Sequence, residues 1–447
     1  MNMKHLLSYA VGLMIFFLGC QKIGVEPQDA KSSKPPFLID MERTDLEIVK
    51  QQYDEAERYA LLSLIEIRNE KQDEIRKKNN CDSISIALSK IYYAQGKYDR
   101  AAELSMTFMK GDIFLSQGKY DDALKVYEQA AMAADKRGQD LPLKYRNHKV
   151  IGAYPLLGNY YLHIGNYERA REYYKDNYDA LVKEGLNRSD HVGAASYRMA
   201  LTYLYTGDDK TAEKYLIDAK NIDERTMVTS PQDYLDVLFM LGRIEEHRKN
   251  TTKAMEYYET ALEYVKGIGQ MTAQADRLTE IRFRVEQSNV WNQMGRLKLL
   301  SHVPDEAIAA YAKSMALRNA TTTQTHPDYA DALRGMAGAA LLNGDTASAT
   351  LQAEESLKIL DAAVVPTHPR IAPTLIALSS IYELTGKSDQ AAPLKTRIET
   401  ILQKPLGPWK EDFMETAAFY TEQLKKANKP ATSQYLEQLQ ARQKDKR

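Results

Sequence analysis

The chain has 447 residues, of which 27% are charged and 44% hydrophobic, so it can bury a core and remain soluble. Its formal net charge of −1 gives no general electrostatic reason to bind nucleic acid, and we expect no nucleic-acid partner. With only two cysteines, Cys20 and Cys81, a disulfide framework and a cysteine-rich metal site are excluded.

Residues 1–19 have the features of a secretory signal peptide. Lys4 supplies a positive charge, and the apolar run from Leu6 to Leu18 is too short to span a bilayer as a mature helix. The run ends in Phe17-Leu18-Gly19-Cys20, which resembles a bacterial lipobox. The resemblance implies that Cys20 is acylated, for example with palmitate, and that the protein is anchored in the bacterial cell envelope. Gln21, rather than Asp, favours the outer membrane. The alternative is an ordinary cleaved leader with a chance cysteine.

Two short segments separate this leader from the rest of the chain. Residues 20–43 are rich in Pro, Ser and Gln, a composition that predicts a flexible tether. Residues 44–80 predict an N-terminal helical cap, because apolar and small side chains share one stripe of an amphipathic helix. These side chains are Tyr53, Ala56, Ala60, Leu64 and Ile67.

Residues 81–405 contain an internal repeat. Segments beginning at Gly96, Gly118, Gly165 and Gly207 share a glycine that closes one helix and an alanine five residues later. Glycine adopts the left-handed conformation that ends a helix, and the alanine lets two helices approach closely. The alanine position is filled throughout, by Ala101, Ala123, Ala170, Ala212, Ala254, Ala307, Ala349 and Ala391.

This pattern resembles the tetratricopeptide repeat, a pair of antiparallel helices called A and B. The resemblance implies an all-α fold, a right-handed superhelical α-solenoid of stacked helix pairs. Pairs such as Leu157-Gly158 are expected at the A–B crossing. Tyrosines of helix B are expected to wedge against the next layer, at Tyr127, Tyr174, Tyr258 and Tyr311.

The turn positions recur every 42 residues, except for one interval of 53 that contains an 11-residue insertion near residues 266–279. They are Gly165, Gly207, Lys249, His302, Gly344, Gly386 and Asn428. This period, with His-Pro pairs at His326 and His368, is similar to that of kinesin-light-chain-type repeats. We expect the two histidines to serve the start of helix A, since proline favours that position. The alternative is a metal shared between them.

The two ends of the array depart from this period. Gly96 and Gly118 are only 22 residues apart, so either a helix is missing or residues 100–117 form one continuous helix. Residues 406–447 predict a final, more polar pair of capping helices with a basic tail, because the terminal repeats of a solenoid need a wet outer face.

The sequence lacks the motifs of common enzymes. It has no Gly-x-x-x-x-Gly-Lys-Ser/Thr phosphate loop, no His-Glu-x-x-His and no Gly-x-Ser-x-Gly. Glu245, Glu246 and His247 are adjacent and so do not share a helix face, which predicts a solvated surface rather than a metal site. We therefore expect a protein that is not an enzyme and that has no metal site and no small-molecule cofactor.

Helix A lines the concave face of the tetratricopeptide folds that this chain resembles. The repeat register places candidate partner-binding residues there: Asn159, His163, Tyr197, Tyr205, Phe239, Arg243, Asn292, Arg296 and Arg334. Aromatic and arginine side chains supply many interface hot spots. The three arginines occupy one or adjacent phases of successive repeats, which predicts a basic strip suited to an acidic segment or a chain terminus. The alternative is that these positions are solvated groove residues.

Together these features predict a membrane-anchored scaffold or adaptor. It would bind protein or peptide partners in its concave groove, in the assembly of an envelope complex. The alternative is a surface glycan-binding helical lipoprotein, although a chain with two tryptophans offers little for an aromatic sugar platform. A third possibility is an enzyme with an unrecognised site.

Overall fold

The structure is a computed structural model that describes residues 98–104, 107–139, 153–183, 189–226, 231–272, 277–319 and 326–445, with Ser85, Ser89, Tyr92 and Gln324. Within these residues the secondary structure consists of helices and turns, without a strand. The predicted signal peptide, tether and helical cap, and Cys20 with them, lie outside the described residues and stay predictions.

The described helices follow one another closely along the chain. In order they are α1 (Tyr98–Leu104), α2 (Thr107–Gln117), α3 (Tyr120–Gln139), α4 (Tyr154–His163), α5 (Tyr167–Lys183), α6 (Asp190–Leu204), α7 (Asp209–Thr226), α8 (Pro231–His247), α9 (Thr251–Thr272), α10 (Arg277–Leu300), α11 (Pro304–Asn319), α12 (Pro327–Leu342), α13 (Thr346–Ala363), α14 (Ile371–Leu384), α15 (Ser388–Ile401), a 3₁₀ turn (Gly407–Trp409), α16 (Lys410–Lys426) and α17 (Pro430–Asp445).

These helices form antiparallel A–B pairs. The even-numbered helices from α2 onward are helix A of a pair, and each packs against the odd-numbered helix B that follows it. From α3 to α13, helix B in turn packs against helix A of the next pair, and in the last pair α16 packs on α14, so the pairs stack into a solenoid. The predicted fold class, an all-α right-handed superhelical solenoid of helix pairs, is therefore confirmed. None of the described helices has the length and apolar character needed to cross a membrane.

The turns between helices A and B confirm the predicted repeat positions. Gly165 donates its N–H to the carbonyl of Leu162 at 3.1 Å, and Asn166 donates to Tyr161 at 2.8 Å, the bonds that accompany a left-handed residue at a helix end. Lys249 makes the equivalent bond at a φ of 61°. All seven predicted positions have positive φ: Gly165, Gly207, Lys249, His302, Gly344, Gly386 and Asn428.

The A–B crossings are tight because small residues lie where the helices meet. All eight predicted alanines are fully buried. A Cβ atom on Gly158 would lie 2.3 Å from the ring of Tyr174. Each predicted tyrosine fills the space over the glycine of its own helix pair, and Tyr311 also wedges against the next layer, as predicted, since a Cβ atom on Gly335 of α12 would lie 2.2 Å from its ring. The pairs are Gly111 with Tyr127, Gly158 with Tyr174, Gly242 with Tyr258, and Gly295 with Tyr311.

Changes in helix length account for both irregular spacings. The insertion coincides with the two longest helices, α9 with 22 residues and α10 with 24. The close spacing of Gly96 and Gly118 corresponds to short helices, because α1 has seven residues and α2 has eleven. Ser89 is itself helical and donates its hydroxyl to the carbonyl of Ala101 at 2.8 Å. The structure thus describes two helices, not one, within residues 100–117.

Candidate functional site

The nine predicted partner-binding residues lie on A helices or, for Tyr205, directly after one, and their surroundings divide them into three groups. Three contact α16, two line a polar cavity, and four lie on or directly after α4 and α6. The residues that contact α16 are Arg243, Arg296 and Arg334. Those that line the cavity are Phe239 and Asn292. Those on or after α4 and α6 are Asn159, His163, Tyr197 and Tyr205.

The three arginines, here called the basic strip, come together on neighbouring A helices and face carboxylates of α16. Arg243 Nη2 lies 2.5 Å from a carboxylate oxygen of Glu411 and 3.2 Å from one of Glu415. Arg296 Nη1 donates to Glu415 at 2.8 Å. An acidic segment does therefore meet the basic strip, and it belongs to the same chain.

The third arginine extends this contact along α16. Arg334 donates to both carboxylate oxygens of Asp412, at 2.8 and 3.0 Å, and to the hydroxyl of Thr416 at 2.8 Å. Nearly two turns further along α16, His302 Nε2 lies 3.3 Å from Glu422. Helix α16 thus bridges α8, α10 and α12 through charged and polar groups.

The charged groups at this contact are largely withdrawn from water. The side chains of Arg243 and Arg296 are 11% and 16% exposed. Burial alone lowers the pKa of Arg243, but the carboxylates of Glu411 and Glu415 outweigh it and raise this pKa. Burial raises the pKa of Glu411, yet Arg243 and the hydrogen bond from His247 lower it to about 2. Arg243 and Glu411 are consequently both charged at neutral pH.

The prediction of a solvated surface at residues 245–247 was wrong for Glu245 and Glu246, whereas His247 is exposed. Glu245 is 3% exposed and pairs with Lys253 at 2.9 Å. His247 lies between two carboxylates, with Nε2 2.6 Å from Glu411 and Nδ1 3.0 Å from Asp209. The hydrogen bond to Glu411 is the main reason that the pKa of His247 rises to about 9. Glutamates and histidine here belong to ion pairs between helices.

Residues 406–447, predicted as a polar capping pair, contain α16 and α17, and α16 turns part of its polar surface inward. Phe413 and Ala417 are fully buried, and the carboxylates of Glu411 and Glu415 face the interior of the superhelix. Sequence reasoning missed these carboxylates as site residues. The sequence did contain a signal for them, because Glu411 and Glu415 are one helical turn apart and the three arginines recur at matching positions of successive repeats.

A polar cavity of about 250 Å³ opens next to this contact, between α8, α10, α11 and α12. The side-chain oxygen of Asn292 is buried and has no hydrogen-bond partner among the described residues. The cavity is lined by Asp236, Phe239, Ser288, Asn289, Asn292, Gln293, Ser314, Arg318, Asp328 and Asp331. Asn292 and Asp331 also border the narrow gap beneath α16, so the cavity continues the same inner surface.

Two of the aspartates that line the polar cavity, Asp328 and Asp331, are paired with arginines of the same chain. Asp328 pairs with Arg318 at 3.1 Å and with Arg370 at 2.5 Å. Arg370 also reaches Asp331 at 2.6 Å. Burial raises the pKa of Asp331, whereas at Asp328 burial is outweighed by the neighbouring cations, which lower its pKa. The cavity therefore presents hydrogen-bonding groups more than net charge.

The four predicted residues nearer the N-terminus are engaged inside the protein. The side-chain oxygen of Asn159 accepts a hydrogen bond from the Tyr174 hydroxyl at 2.8 Å, and its main-chain oxygen lies 2.8 Å from Nδ1 of His163. Burial raises the pKa of Tyr197 and of Tyr205. These positions support the inner wall.

Residues 402–409, here called the closing segment, return from α15 to the first pairs of the solenoid. Tyr167 donates its hydroxyl to the carbonyl of Gly407 at 3.1 Å, across 240 positions of sequence. Gly407 has a φ of +56°, and a Cβ atom there would lie 2.1 Å from the carbonyl oxygen of His163. Both the positive φ and the close approach to His163 require glycine at this position. The superhelix closes on itself at this contact.

Trp409 completes this closure between two histidines. Its ring centroid lies 5.5 Å from that of His163 and 4.7 Å from that of His368. His368 Nδ1 accepts the N–H of Arg370 at 3.0 Å, and His326 makes the same contact ahead of α12, which confirms their predicted role at helix starts. Burial lowers the pKa of His368 to about 3. The described residues contain no group of three or more His, Cys, Asp and Glu that could hold a metal ion.

Helix pairs, left-handed turns and an inner face built from A helices define an α-solenoid repeat protein. Family models described as tetratricopeptide repeat match residues 286–362, 108–142, 151–176 and 235–264. These ranges coincide with A–B pairs of the structure. In these segments the chain contains tetratricopeptide repeats.

Solved structures share this architecture at low sequence identity. A Rap protein complexed with Competence and Sporulation Factor is 11% identical, with 92% of this chain and 98% of that chain covered and a TM-score of 0.51. The apo form of the quorum sensor NprR from B. thuringiensis is also 11% identical, with coverage of 91% and 98% and a TM-score of 0.48. A putative kinesin light chain of Podosopora anserina is 18% identical, with coverage of 47% and 94% and a TM-score of 0.32. Such likeness concerns the fold alone. No curated protein matches the sequence.

Proposed function

We propose that this protein binds a segment of another protein on the inner face of its solenoid, and that the polar cavity holds part of that segment. The supporting observation is the buried side-chain oxygen of Asn292, an acceptor without a partner among the described residues, in the wall of this cavity. Buried polar groups are almost always hydrogen-bonded, so a ligand donor is the expected complement.

The lining suits a peptide main chain. A peptide presents one N–H and one carbonyl per residue. The amides of Asn289, Asn292 and Gln293 can donate and accept, and Phe239 offers an apolar surface. Since Asp328 is already paired, a ligand needs no compensating charge. The Rap protein of similar fold is complexed with Competence and Sporulation Factor, which supports a binding role for this architecture.

Capture of a partner by the full chain from solubilised membranes, followed by affinity measurement, tests this proposal. Asn292→Leu and Phe239→Ala should each weaken Kd by about tenfold or more, because one removes an acceptor and the other an apolar contact. The matched control is Asn221→Leu, at an exposed position of α7. Equal affinity for all variants would contradict the proposal, as would binding to polysaccharide without a protein partner.

The second part of the proposal concerns location. The lipobox resemblance at Cys20 supports a lipid anchor that holds the solenoid at a membrane, as a scaffold in an envelope complex. Cells grown with labelled palmitate should label the wild-type protein, because an amide-linked acyl chain on the N-terminal cysteine survives denaturing gels. Label should be absent from Cys20→Ala and retained in the matched variant Cys81→Ala. Continued labelling of Cys20→Ala would refute the anchor.

A further inference from the structure

Helix α16 has two chemically different sides. Its apolar side is buried, with Phe413, Ala417 and Leu424 at 0% exposure. Its other side carries Glu411 and Glu415, one helical turn apart, which meet arginines from neighbouring A helices. The spacing of the carboxylates along one helix therefore matches the spacing of the basic strip across the solenoid.

The contact with the basic strip is unusual for a solenoid, in which each repeat normally touches its neighbours alone. Arg243 lies on α8, four helix pairs before α16, and is separated from Glu415 by 172 positions. The solenoid would remain continuous through its neighbouring pairs if this contact opened. The charged contact is thus an addition to the stacking, in which the apolar side of α16 packs on α14.

Two features make this contact separable. Desolvation of buried ions offsets most of their mutual attraction, so such pairs add little net stability compared with apolar packing. The fit is also incomplete, because a gap of about 60 Å³ lies between α16 and the inner helices. Arg334 Nε and the hydroxyl of Tyr420 are buried in that region without hydrogen-bond partners among the described residues. A ligand with a closer fit would fill this gap and give Arg334 Nε and the Tyr420 hydroxyl hydrogen-bond partners.

We propose that α16 is a tethered occupant of the basic strip, and that the strip is a docking site for an acidic amphipathic helix of a partner protein, which displaces α16. Charge complementarity identifies the occupant. Arg296 Nη2 already pairs with Glu246 of α8 at 2.6 Å, and the remaining donors of the three arginines select carboxylates on a helix such as α16. This inference rests on the proposed function in that the inner face is taken to bind proteins, although it uses a different part of that face.

Trp409 supplies the readout. It precedes α16 directly and is held between His163 and His368, so release of α16 should expose it to solvent quenchers. The full chain carrying Trp291→Phe has Trp409 as its sole tryptophan. It is titrated with a synthetic peptide of residues 407–426 in which Trp409 is replaced by Phe. The control peptide carries Glu411→Gln, Asp412→Asn and Glu415→Gln.

The acidic peptide should increase acrylamide quenching of Trp409 in a saturable manner, at a concentration about tenfold lower than the control peptide requires. Because a tethered helix has an effective concentration in the millimolar range, the titration extends to about 1 mM peptide. The variant Asp412→Asn, which weakens the tethered helix, should respond at lower peptide concentration. If Trp409 stays protected in both proteins, or if both peptides act alike, the proposal is wrong.

Hydrogen exchange of the unmodified full chain gives a second test that needs no variant. The proposal expects amides of α16 to exchange through a local opening, several-fold faster than those of α14, on which α16 packs. Equal exchange of α14 and α16, by global unfolding alone, would overturn it. Neither experiment involves Asn292 or Phe239. A negative result in either experiment can therefore be distinguished from failure of the polar cavity to bind a ligand.

Discussion

At the scale of single residues, comparing Gly207 with Gly267 distinguishes the effect of backbone strain from the effect of side-chain crowding. A Cβ atom on Gly207 or on Gly267 would meet nothing within 4 Å, but Gly207 has a φ of +81° whereas Gly267 lies within helix α9. Gly207→Ala should therefore lower the free energy of unfolding by about 1 kcal/mol, since a left-handed conformation is strained for alanine. Gly267→Ala should raise it by about 0.5–1 kcal/mol, because alanine favours a helix. Urea titration followed by circular dichroism measures both, and changes of the same sign would contradict this reading of the turns.

At the scale of helices, the sequence allowed the period, turns and crossings to be predicted because these depend on contacts between neighbouring segments. Lys249 could be assigned to a left-handed turn from its spacing alone, although it is not glycine. The orientation of α16 could not be predicted in this way. Glu411 meets Arg243 only because the superhelix curves back on itself, and curvature is the sum of many small rotations that no local pattern records. For the same reason, only part of the lining of the polar cavity could be predicted. Phe239 and Asn292 followed from the repeat register, whereas Asp328 is oriented by Arg370, which lies on a later helix pair.

At the scale of the whole molecule, closure of the superhelix should be sensitive to acid through His368. This side chain is 1% exposed, and Arg370, His163 and Trp409 surround it. Its pKa in the folded protein, about 3, lies below the ordinary value of 6.5. A lowered histidine pKa means that the unfolded chain binds more protons, so stability is complete above about pH 6.5 and is lost as the pH falls.

Relative to His368→Gln, the wild-type protein should lose about 1–3 kcal/mol of unfolding free energy between about pH 6.5 and pH 4. Carboxylates such as Glu411 titrate in both proteins, so the difference between the two urea titrations isolates the histidine. His191→Gln, at an exposed position of α6, is the matched control. A wild-type difference curve that is flat over this range would show that His368 does not couple closure to pH.

The distance along the chain between Tyr167 and Gly407 also bears on how the protein is made. During synthesis the early helix pairs leave the ribosome well before α16, so Arg243 and Arg296 face the solvent without Glu411 and Glu415. The nascent chain can stack its first pairs, but it cannot finish its interior until the final segment has emerged. Contacts so remote in sequence are slow to form. A protein built from local modules thus acquires a late, global step of maturation, and a premature stop codon near its end would affect helices encoded far upstream.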